Sequence, residues 1–229
     1  MSDEASLKCT HVIFDLDGLM LDTESIYTRV TQEILDPYGK TFDWSVKSKM
    51  MGRSPMGAAQ VLVEELQLPL TSEEFVELSK EKLLQLFPSA PLLPGVEKLV
   101  RHLHKHKIPI AVATGSSASQ YKIKTSNHKD LFQLFSHTVK SDDPELKHSK
   151  PAPDIFQLAA ARFHAPPTSP RHVLVLEDAP NGVTAARAAG MNVVMVPDKR
   201  VDKSKCSQAH LVLDSLEEFD PTAWGFPPF

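Results

Sequence analysis

The chain has few cysteines, no long hydrophobic run and no excess of positive charge, and each absence excludes a class of function. Its two cysteines, Cys9 and Cys206, lie far apart in 229 residues and fit no metal-ligand spacing, so we expect free thiols in a reducing compartment. No apolar run approaches the roughly 18 residues that a membrane span requires. The net charge of -4 lacks the basic surplus of nucleic-acid-binding proteins. We therefore expect a cytoplasmic protein that binds neither membranes nor nucleic acids, and a monomer by default.

Short, continuous apolar runs predict strands that are buried on both faces of a parallel sheet. The predicted strands are residues 11–14, 108–113, 173–176, 192–196 and, more weakly, 210–213. Helix-length segments separate them, with prolines at two helix starts, Pro153 and Pro180, and a glycine stop at Gly190. This alternation of strands and helices predicts an α/β fold with right-handed crossovers.

Residues 22–92 differ from the rest because they contain no convincing strand. Helices are predicted over 23–38, 55–67 and 72–87, and Thr71 with Glu74 forms a capping box before the third. We therefore predict a Rossmann-like catalytic core, residues 1–21 and 93–229, with an inserted α-helical cap domain, residues 22–92. A single continuous domain is the alternative.

Polar residues follow three of the predicted strands. Asp15 and Asp17 follow the first, Thr114 the second, and Glu177 and Asp178 the third. Because ligands of open parallel sheets bind beyond the carboxyl ends of the strands, we expect these side chains to share one crevice. Asp15 and Asp17 point to covalent catalysis, in which one carboxylate attacks and the other transfers a proton.

A carboxylate that attacks a phosphate group needs positive charge nearby. Two unit charges 4 Å apart repel by about 4 kcal/mol at an effective dielectric constant near 20. Mg²⁺ suits an oxygen-only site and bridges carboxylates to phosphate oxygens. Asp178, with Glu177 beside it, is the natural third acidic group for such an ion. The sequence therefore predicts a magnesium-assisted phosphoryl transfer.

Lys150 and the turn at residues 114–116 are the predicted phosphate contacts. Lys150 lies in SKPAPD, between a loop and a helix that proline opens. Thr114, Gly115 and Ser116 supply a hydroxyl group and backbone N–H donors at a strand-to-helix turn. Each signal is weak by itself, since Lys150 alone reads as a solvated lysine and Thr114 alone as a turn residue. The ordered set is much harder to explain without a shared site.

The motif FDLDG, followed in order by Thr114, Lys150 and Glu177-Asp178, resembles the four motifs of the haloacid dehalogenase superfamily of phosphatases. The resemblance covers nearly the whole chain and implies a Rossmann-like core with an inserted cap. It implies that Asp15 is the nucleophile, that Asp17 is the acid and base, and that Thr114 and Lys150 hold the phosphoryl group. It further implies Mg²⁺ bound by the carboxylates of Asp15 and Asp178 and the backbone carbonyl of Asp17.

Further segments resemble the pseudouridine-5′-phosphatases within that superfamily, among them FDWSVKSKMMGR and LEDAPNGV. Plant glycerol-phosphate phosphatases and microbial deoxyglucose-phosphate phosphatases share much of the pattern. The resemblance implies hydrolysis of a small phosphomonoester through an aspartyl-phosphate, with pseudouridine 5′-phosphate as the first candidate. Glycerol 3-phosphate and 2-deoxyglucose 6-phosphate are alternatives, and a sugar phosphomutase or a non-catalytic phosphate sensor remains open.

Three further positions stand out when the chain is compared with the pattern of the superfamily. By analogy with specificity loops in the superfamily, Arg53 is expected to contact the substrate, and a solvated arginine is the alternative. Ser149 stands where a glycine is usual, which leaves the backbone turn before Lys150 undefined. Leu19 stands where threonine or valine is common.

Overall fold

The computed structural model describes residues 8–50 and 54–229. The chain divides into two compact units. Asp22–Ala90 form one, called here the helical unit, and the segment up to Leu21 together with Pro91–Phe229 forms the other, the sheet unit.

Within residues 22–50 and 54–90, the helical unit contains four α-helices: α1 (Thr23–Leu35), α2 (Trp44–Met50), α3 (Pro55–Leu66) and α4 (Ser72–Leu86). The first helix ends three residues before its predicted end because Pro37, which has no N–H, leads into a short 3₁₀ turn closed by Gly39 at φ 63°. The predicted capping box of α4 is confirmed, with Thr71 and Glu74 each binding the other's backbone N–H. Sequence analysis missed α2.

From residue 8 onward, the sheet unit contains a parallel six-stranded sheet, which confirms the predicted α/β class and Rossmann-like core. Its strands are β1 (His11–Phe14), β2 (Ile110–Ala113), β3 (His137–Val139), β4 (Val173–Glu177), β5 (Asn192–Met195) and β6 (Leu211–Val212). Their order is β3-β2-β1-β4-β5-β6. The chain thus adds strands outward on one side of β1 and then returns to place β4 on its other side. The crevice between β1 and β4 is the switch point where ligands of such sheets bind.

Most strand ends lie within one residue of the prediction, and two strands differ from it by more, for identifiable reasons. β2 begins two residues late because the N–H of Ile108 bonds back to Leu103, and Pro109 has no N–H to offer the ladder. Lys107, which lies between Leu103 and Ile108, adopts a left-handed backbone conformation at φ 57°. β3 was missed because it has only three residues, lies at the sheet edge and keeps two of them half-buried, so it shows no continuous apolar run.

In the described part of the sheet unit, five α-helices accompany the sheet: α5 (Val96–Lys105), α6 (Ala118–Lys124), α7 (Lys129–Phe132), α8 (Asp154–Ala161) and α9 (Pro180–Ala188). Phe156 of α8 and Val183 of α9 pack with Val175 of β4 and Val193 of β5 in one fully buried cluster. Burying a large apolar side chain stabilises the folded state by roughly 1.5–3 kcal/mol, so this cluster is a main source of stability for the strand ends.

Two expectations from composition can be compared with the structure. Cys9 and Cys206 are free, buried thiols, as predicted. Among the helices in the described ranges, none is both long and apolar enough to cross a membrane. The expectations of a cytoplasmic location and of a monomer stay predictions.

Candidate active site

The loop after β1 presents Asp15 and Asp17 at the edge of the sheet. The N–H of Asp15 bonds to the carbonyl of Leu176 at 3.0 Å, so Asp15 continues β1 alongside β4. The chain then turns back, because the carbonyl of Leu16 accepts from two later N–H groups and Gly18 adopts φ 81°. The three apolar residues after the glycine are buried, namely Leu19, Met20 and Leu21. A packed turn therefore fixes the backbone that carries the two aspartates.

Lys150 joins three separated stretches of the chain. Its Nζ lies 2.5 Å from Oδ1 of Asp15, 2.6 Å from Oε1 of Glu177 and 3.1 Å from the carbonyl oxygen of Ala113. The side chains of Lys150, Asp15 and Glu177 are 10%, 8% and 2% exposed. The ends of β1, β2 and β4 therefore meet around one buried ammonium group.

The turn before Lys150 does not need the glycine that is usual in this motif. Ser149 is exposed, and its carbonyl accepts the N–H of Ala152 at 3.0 Å. Among the described non-glycine residues, only Gln67 and Lys107 adopt positive φ, so Ser149 keeps an ordinary backbone conformation. The substitution of serine for glycine is thus compatible with this placement of Lys150.

Glu177 uses both carboxylate oxygens on protein groups. Oε1 accepts from Lys150, and Oε2 accepts from the backbone N–H groups of Asp178 and Ala179 at 3.0 Å each. These N–H groups stand where α9 begins and have no partner inside the helix. Metal coordination by Glu177 stays a prediction, while its contacts favour a different role: holding Lys150 against Asp15.

The turn after β2 contacts Asp17. The hydroxyl of Ser116 donates to Oδ2 of Asp17 at 2.7 Å, and that of Thr114 approaches the same oxygen at 3.4 Å. The N–H of Ser116 donates to Oγ1 of Thr114 at 2.9 Å. The structure therefore brings Thr114 and Ser116 into the site as predicted neighbours of the aspartates. Gly115 lies between them and is exposed, with open space where a Cβ would stand.

Sequence analysis missed Lys124 as a member of this site. Its Nζ lies 2.5 Å from Oδ1 of Asp17 and 2.9 Å from Oγ of Ser116, and its side chain is 1% exposed. Lys122, two residues earlier on the same helix, is exposed. No charge or spacing signal in the sequence distinguishes these two lysines.

Comparison with known proteins supplies the family. The family model for haloacid dehalogenase-like hydrolases matches residues 9–190, which include all the residues gathered at the strand ends. The chain belongs to this family. The recognition made from the motifs is therefore confirmed.

Relatives of this haloacid dehalogenase-like hydrolase include named phosphatases. A protein of Arabidopsis thaliana, (DL)-glycerol-3-phosphatase 1, mitochondrial, is 51% identical over 100% of this chain and 78% of its own length. A protein of Drosophila melanogaster, "Probable pseudouridine-5′-phosphatase", is 47% identical over 100% of this chain and 99% of its own. Together with the family match, they show that the chain is a phosphomonoester hydrolase.

The fold is also found among solved structures. A haloacid dehalogenase family hydrolase from Deinococcus radiodurans, solved with bound phosphate and sodium, superposes with a TM-score of 0.78. The alignment covers 97% of this chain and 100% of that one, at 21% sequence identity. At this identity the likeness supports the fold alone.

The charges in the site of the hydrolase strongly influence one another. Burial raises the pKa of Asp15 to about 7, Lys150 opposes this rise, and the neighbouring carboxylates of Glu177 and Asp17 add to it. Burial by itself would lower the pKa of Lys150, but Asp15 and Glu177 outweigh burial and raise that pKa above its ordinary value. Lys150 is therefore a permanent positive charge, whereas Asp15 ionises only near neutral pH.

The remaining predicted site residues are placed as follows. Asp178 directly follows β4 and is half-buried, one residue beyond the Glu177 that contacts Lys150. Arg53 lies outside the described residues. Within residues 8–50 and 54–229, no three or more His, Cys, Asp or Glu side chains cluster in a way that could hold a metal ion.

A glycine on α9 makes room for Glu177. A Cβ added at Gly182 would lie 1.8 Å from Oε1 and 2.0 Å from Cδ of Glu177, so Gly182→Ala must displace that side chain. We expect this substitution to lower kcat by about 10- to 100-fold, since Lys150 would lose a charge-assisted hydrogen bond worth roughly 1.5–3 kcal/mol. Steady-state kinetics with p-nitrophenyl phosphate measures the loss.

The matched control removes the displaced side chain. In a Glu177→Ala background, Gly182→Ala should stabilise the protein by roughly 0.5–1 kcal/mol in urea unfolding, the ordinary effect of replacing a helical glycine. In the wild-type background the same substitution should destabilise. Equal effects in both backgrounds would contradict the assigned role of Gly182.

Proposed function

We propose that this hydrolase is a Mg²⁺-dependent phosphatase that hydrolyses a small phosphomonoester through an aspartyl-phosphate on Asp15, with pseudouridine 5′-phosphate as the leading substrate. The observation that carries the proposal is the buried contact of Lys150 with Asp15. A second aspartate, Asp17, lies two residues further along the chain and is held by a different lysine, Lys124. In this proposal Asp15 is the nucleophile, Asp17 the proton carrier and Lys150 the fixed cation, the three groups that phosphoryl transfer requires.

The reaction proceeds in two steps, transfer of the phosphoryl group to Asp15 and hydrolysis of the aspartyl-phosphate. A carboxylate oxygen of Asp15 forms a bond to phosphorus while the bond from phosphorus to the ester oxygen breaks, and Asp17 gives its proton to the departing alcohol. Water then attacks phosphorus, the bond to Asp15 breaks, and Asp17 takes a proton from that water. Lys150 remains charged throughout and offsets the negative charge on Asp15 and the phosphoryl group.

The residue types at this edge suit Mg²⁺. Asp15 and Asp178 follow adjacent parallel strands, and together with the backbone carbonyl of Asp17 they would offer Mg²⁺ an oxygen-only set of two carboxylates and one main-chain group. When bound, Mg²⁺ supplies the positive charge that lets a phosphate group approach these carboxylates. The raised pKa of Asp15 supports this need for a cation.

The names of the relatives support two substrate candidates. Pseudouridine 5′-phosphate follows from the segments noted in the sequence and from the Drosophila relative. Glycerol 3-phosphate is favoured by the Arabidopsis relative at 51% identity. Both are phosphomonoesters of a primary alcohol, so the chemistry at Asp15 and Asp17 is the same for either. Arg53 stays the predicted substrate contact that would separate them.

Phosphate release from a panel of esters tests the proposal. The panel contains pseudouridine 5′-phosphate, glycerol 3-phosphate, 2-deoxyglucose 6-phosphate, a hexose 1-phosphate and p-nitrophenyl phosphate, each with Mg²⁺ and with EDTA. We expect Mg²⁺-dependent release, and a kcat/KM for pseudouridine 5′-phosphate at least about 10-fold above the other metabolites, equivalent to roughly 1.4 kcal/mol.

The outcomes separate the parts of the proposal. A preference for glycerol 3-phosphate would mean that the proposed substrate is wrong, while the proposed phosphatase reaction would stand. Conversion of hexose 1-phosphate to hexose 6-phosphate without phosphate release would replace hydrolysis by a mutase reaction. Undiminished turnover in EDTA would contradict the requirement for a metal ion.

A further inference from the structure

Lys124 is a buried cation that the reaction described above does not use. It is the last residue of α6, and its side chain is 1% exposed. Removing an ammonium group from water costs several kcal/mol unless good partners replace the solvent. Its partners include Oδ1 of Asp17 at 2.5 Å and the hydroxyl oxygen of Ser116 at 2.9 Å. The burial of this charge is therefore tied to the proton-carrying aspartate.

The carboxylate of Asp17 is held through both of its oxygens. Lys124 binds Oδ1, and the Ser116 hydroxyl binds Oδ2 at 2.7 Å. Since Lys124 also contacts Ser116, the three groups form a closed ring of hydrogen bonds. A carboxylate bound at both oxygens cannot rotate freely about its terminal torsion, which is otherwise broad.

The two lysines of the site serve different aspartates. Lys150 contacts Asp15 and Glu177, whereas Lys124 contacts Asp17 and Ser116. The nucleophile and the proton carrier thus each have a separate buried ammonium group, supplied by a different segment of the chain.

We infer that Lys124, together with Ser116, is a positioning residue that fixes the carboxyl group of Asp17 for proton transfer to the leaving alcohol. The inference rests on the proposed function, because it assigns Lys124 to the proton-transfer part of that reaction. A proton donor must lie within hydrogen-bond reach of the atom it serves, so a carboxyl group that rotates away loses its contribution.

The dependence of the rate on the leaving group tests this role. An alkyl phosphate needs a proton on its departing oxygen, whereas p-nitrophenolate leaves without one. We expect Lys124→Met to lower kcat/KM for the best alkyl phosphate by about 100-fold and for p-nitrophenyl phosphate by less than about 10-fold. Because kcat/KM reports the steps through alcohol departure, this ratio isolates the proton donor.

Three variants complete the experiment. Lys122→Met, on the exposed lysine of the same helix, is the matched control and should leave both rates unchanged. Ser116→Ala should lower kcat/KM for the alkyl phosphate about 10-fold relative to kcat/KM for p-nitrophenyl phosphate. This variant keeps the inference testable if Lys124→Met does not fold. In the Asp17→Asn background, Lys124→Met should cost less than about 3-fold, since the group it positions is already disabled.

The wild-type rates separate this inference from the proposed function. Activity of the wild type on both esters shows that the phosphatase proposal holds. If Lys124→Met and Ser116→Ala then lower the two rates equally, the positioning role is wrong and both residues act on stability or phosphate binding. The positioning role would also be wrong if Lys124→Met lowered kcat/KM for the alkyl phosphate by the full factor of about 100 in the Asp17→Asn background.

Discussion

Asp15→Asn is expected to reduce turnover by about 10⁴-fold or more, the largest effect of any single substitution in this chain. An amide cannot form the acyl-phosphate that divides the reaction into two steps, and no other described carboxylate lies beside Lys150 except Glu177, whose oxygens are bound to protein groups. The measurement is kcat with p-nitrophenyl phosphate and Mg²⁺, together with a test for phosphoenzyme after acid quench.

Stability provides the control for Asp15→Asn, because asparagine keeps the volume of the buried side chain. Burial raises the pKa of Asp15 from 3.8 to about 7. The folded wild type therefore binds a proton more tightly than the unfolded chain and loses stability as pH rises from about 4 to about 7 in metal-free buffer. We expect Asp15→Asn to lack this loss. Near-normal turnover in this folded variant would mean that another group attacks phosphorus.

The meeting of Asp15, Thr114 and Glu177 could be predicted from the sequence for a topological reason. Parallel strands end at one edge, so polar residues that follow buried strands come together even when about a hundred residues separate them. Strands buried on both faces are also the easiest to find, since they appear as continuous apolar runs. β1, β2 and β4 are all fully buried strands, and they carry the site.

The contacts of Lys124 and Glu177 could not be predicted in the same way. Lys124 ends a helix, where its position relative to Asp17 depends on the length and packing of α6 rather than on a strand end. Glu177 looked like a metal ligand because it adjoins Asp178, yet the start of α9 presents two N–H groups to its carboxylate. Such assignments need the direction of each side chain, which residue spacing does not fix.

The second large effect is expected for Lys150→Met, because this substitution leaves two buried carboxylates beside each other. Asp15 and Glu177 both contact the ammonium group at 2.6 Å or less. Removing one partner of a buried ion pair typically costs 3–5 kcal/mol. We expect a loss of about that size in urea unfolding at pH 8, and a fall in kcat of at least about 10³-fold, since Lys150 also offsets charge on the phosphoryl group.

A lower pH should relieve the loss of stability but not the loss of turnover. Lys150 lowers the pKa of Asp15 in the wild type, so in Lys150→Met Asp15 takes up its proton at a higher pH and one of the two facing charges is removed there. The difference in unfolding free energy between wild type and Lys150→Met should therefore shrink as pH falls toward about 7. Lys147→Met, on an exposed lysine of the same loop, should change neither quantity.

The double variant Lys150→Met/Glu177→Gln separates the two roles of the ammonium group. Glutamine can still accept the N–H groups of Asp178 and Ala179 through its side-chain oxygen, while it removes the second negative charge. We expect most of the lost stability to return and kcat to stay at least about 10³-fold below wild type. If activity returned together with stability, Lys150 would serve only to hold the strand ends together, and the charge that assists phosphoryl transfer would have to come from another group.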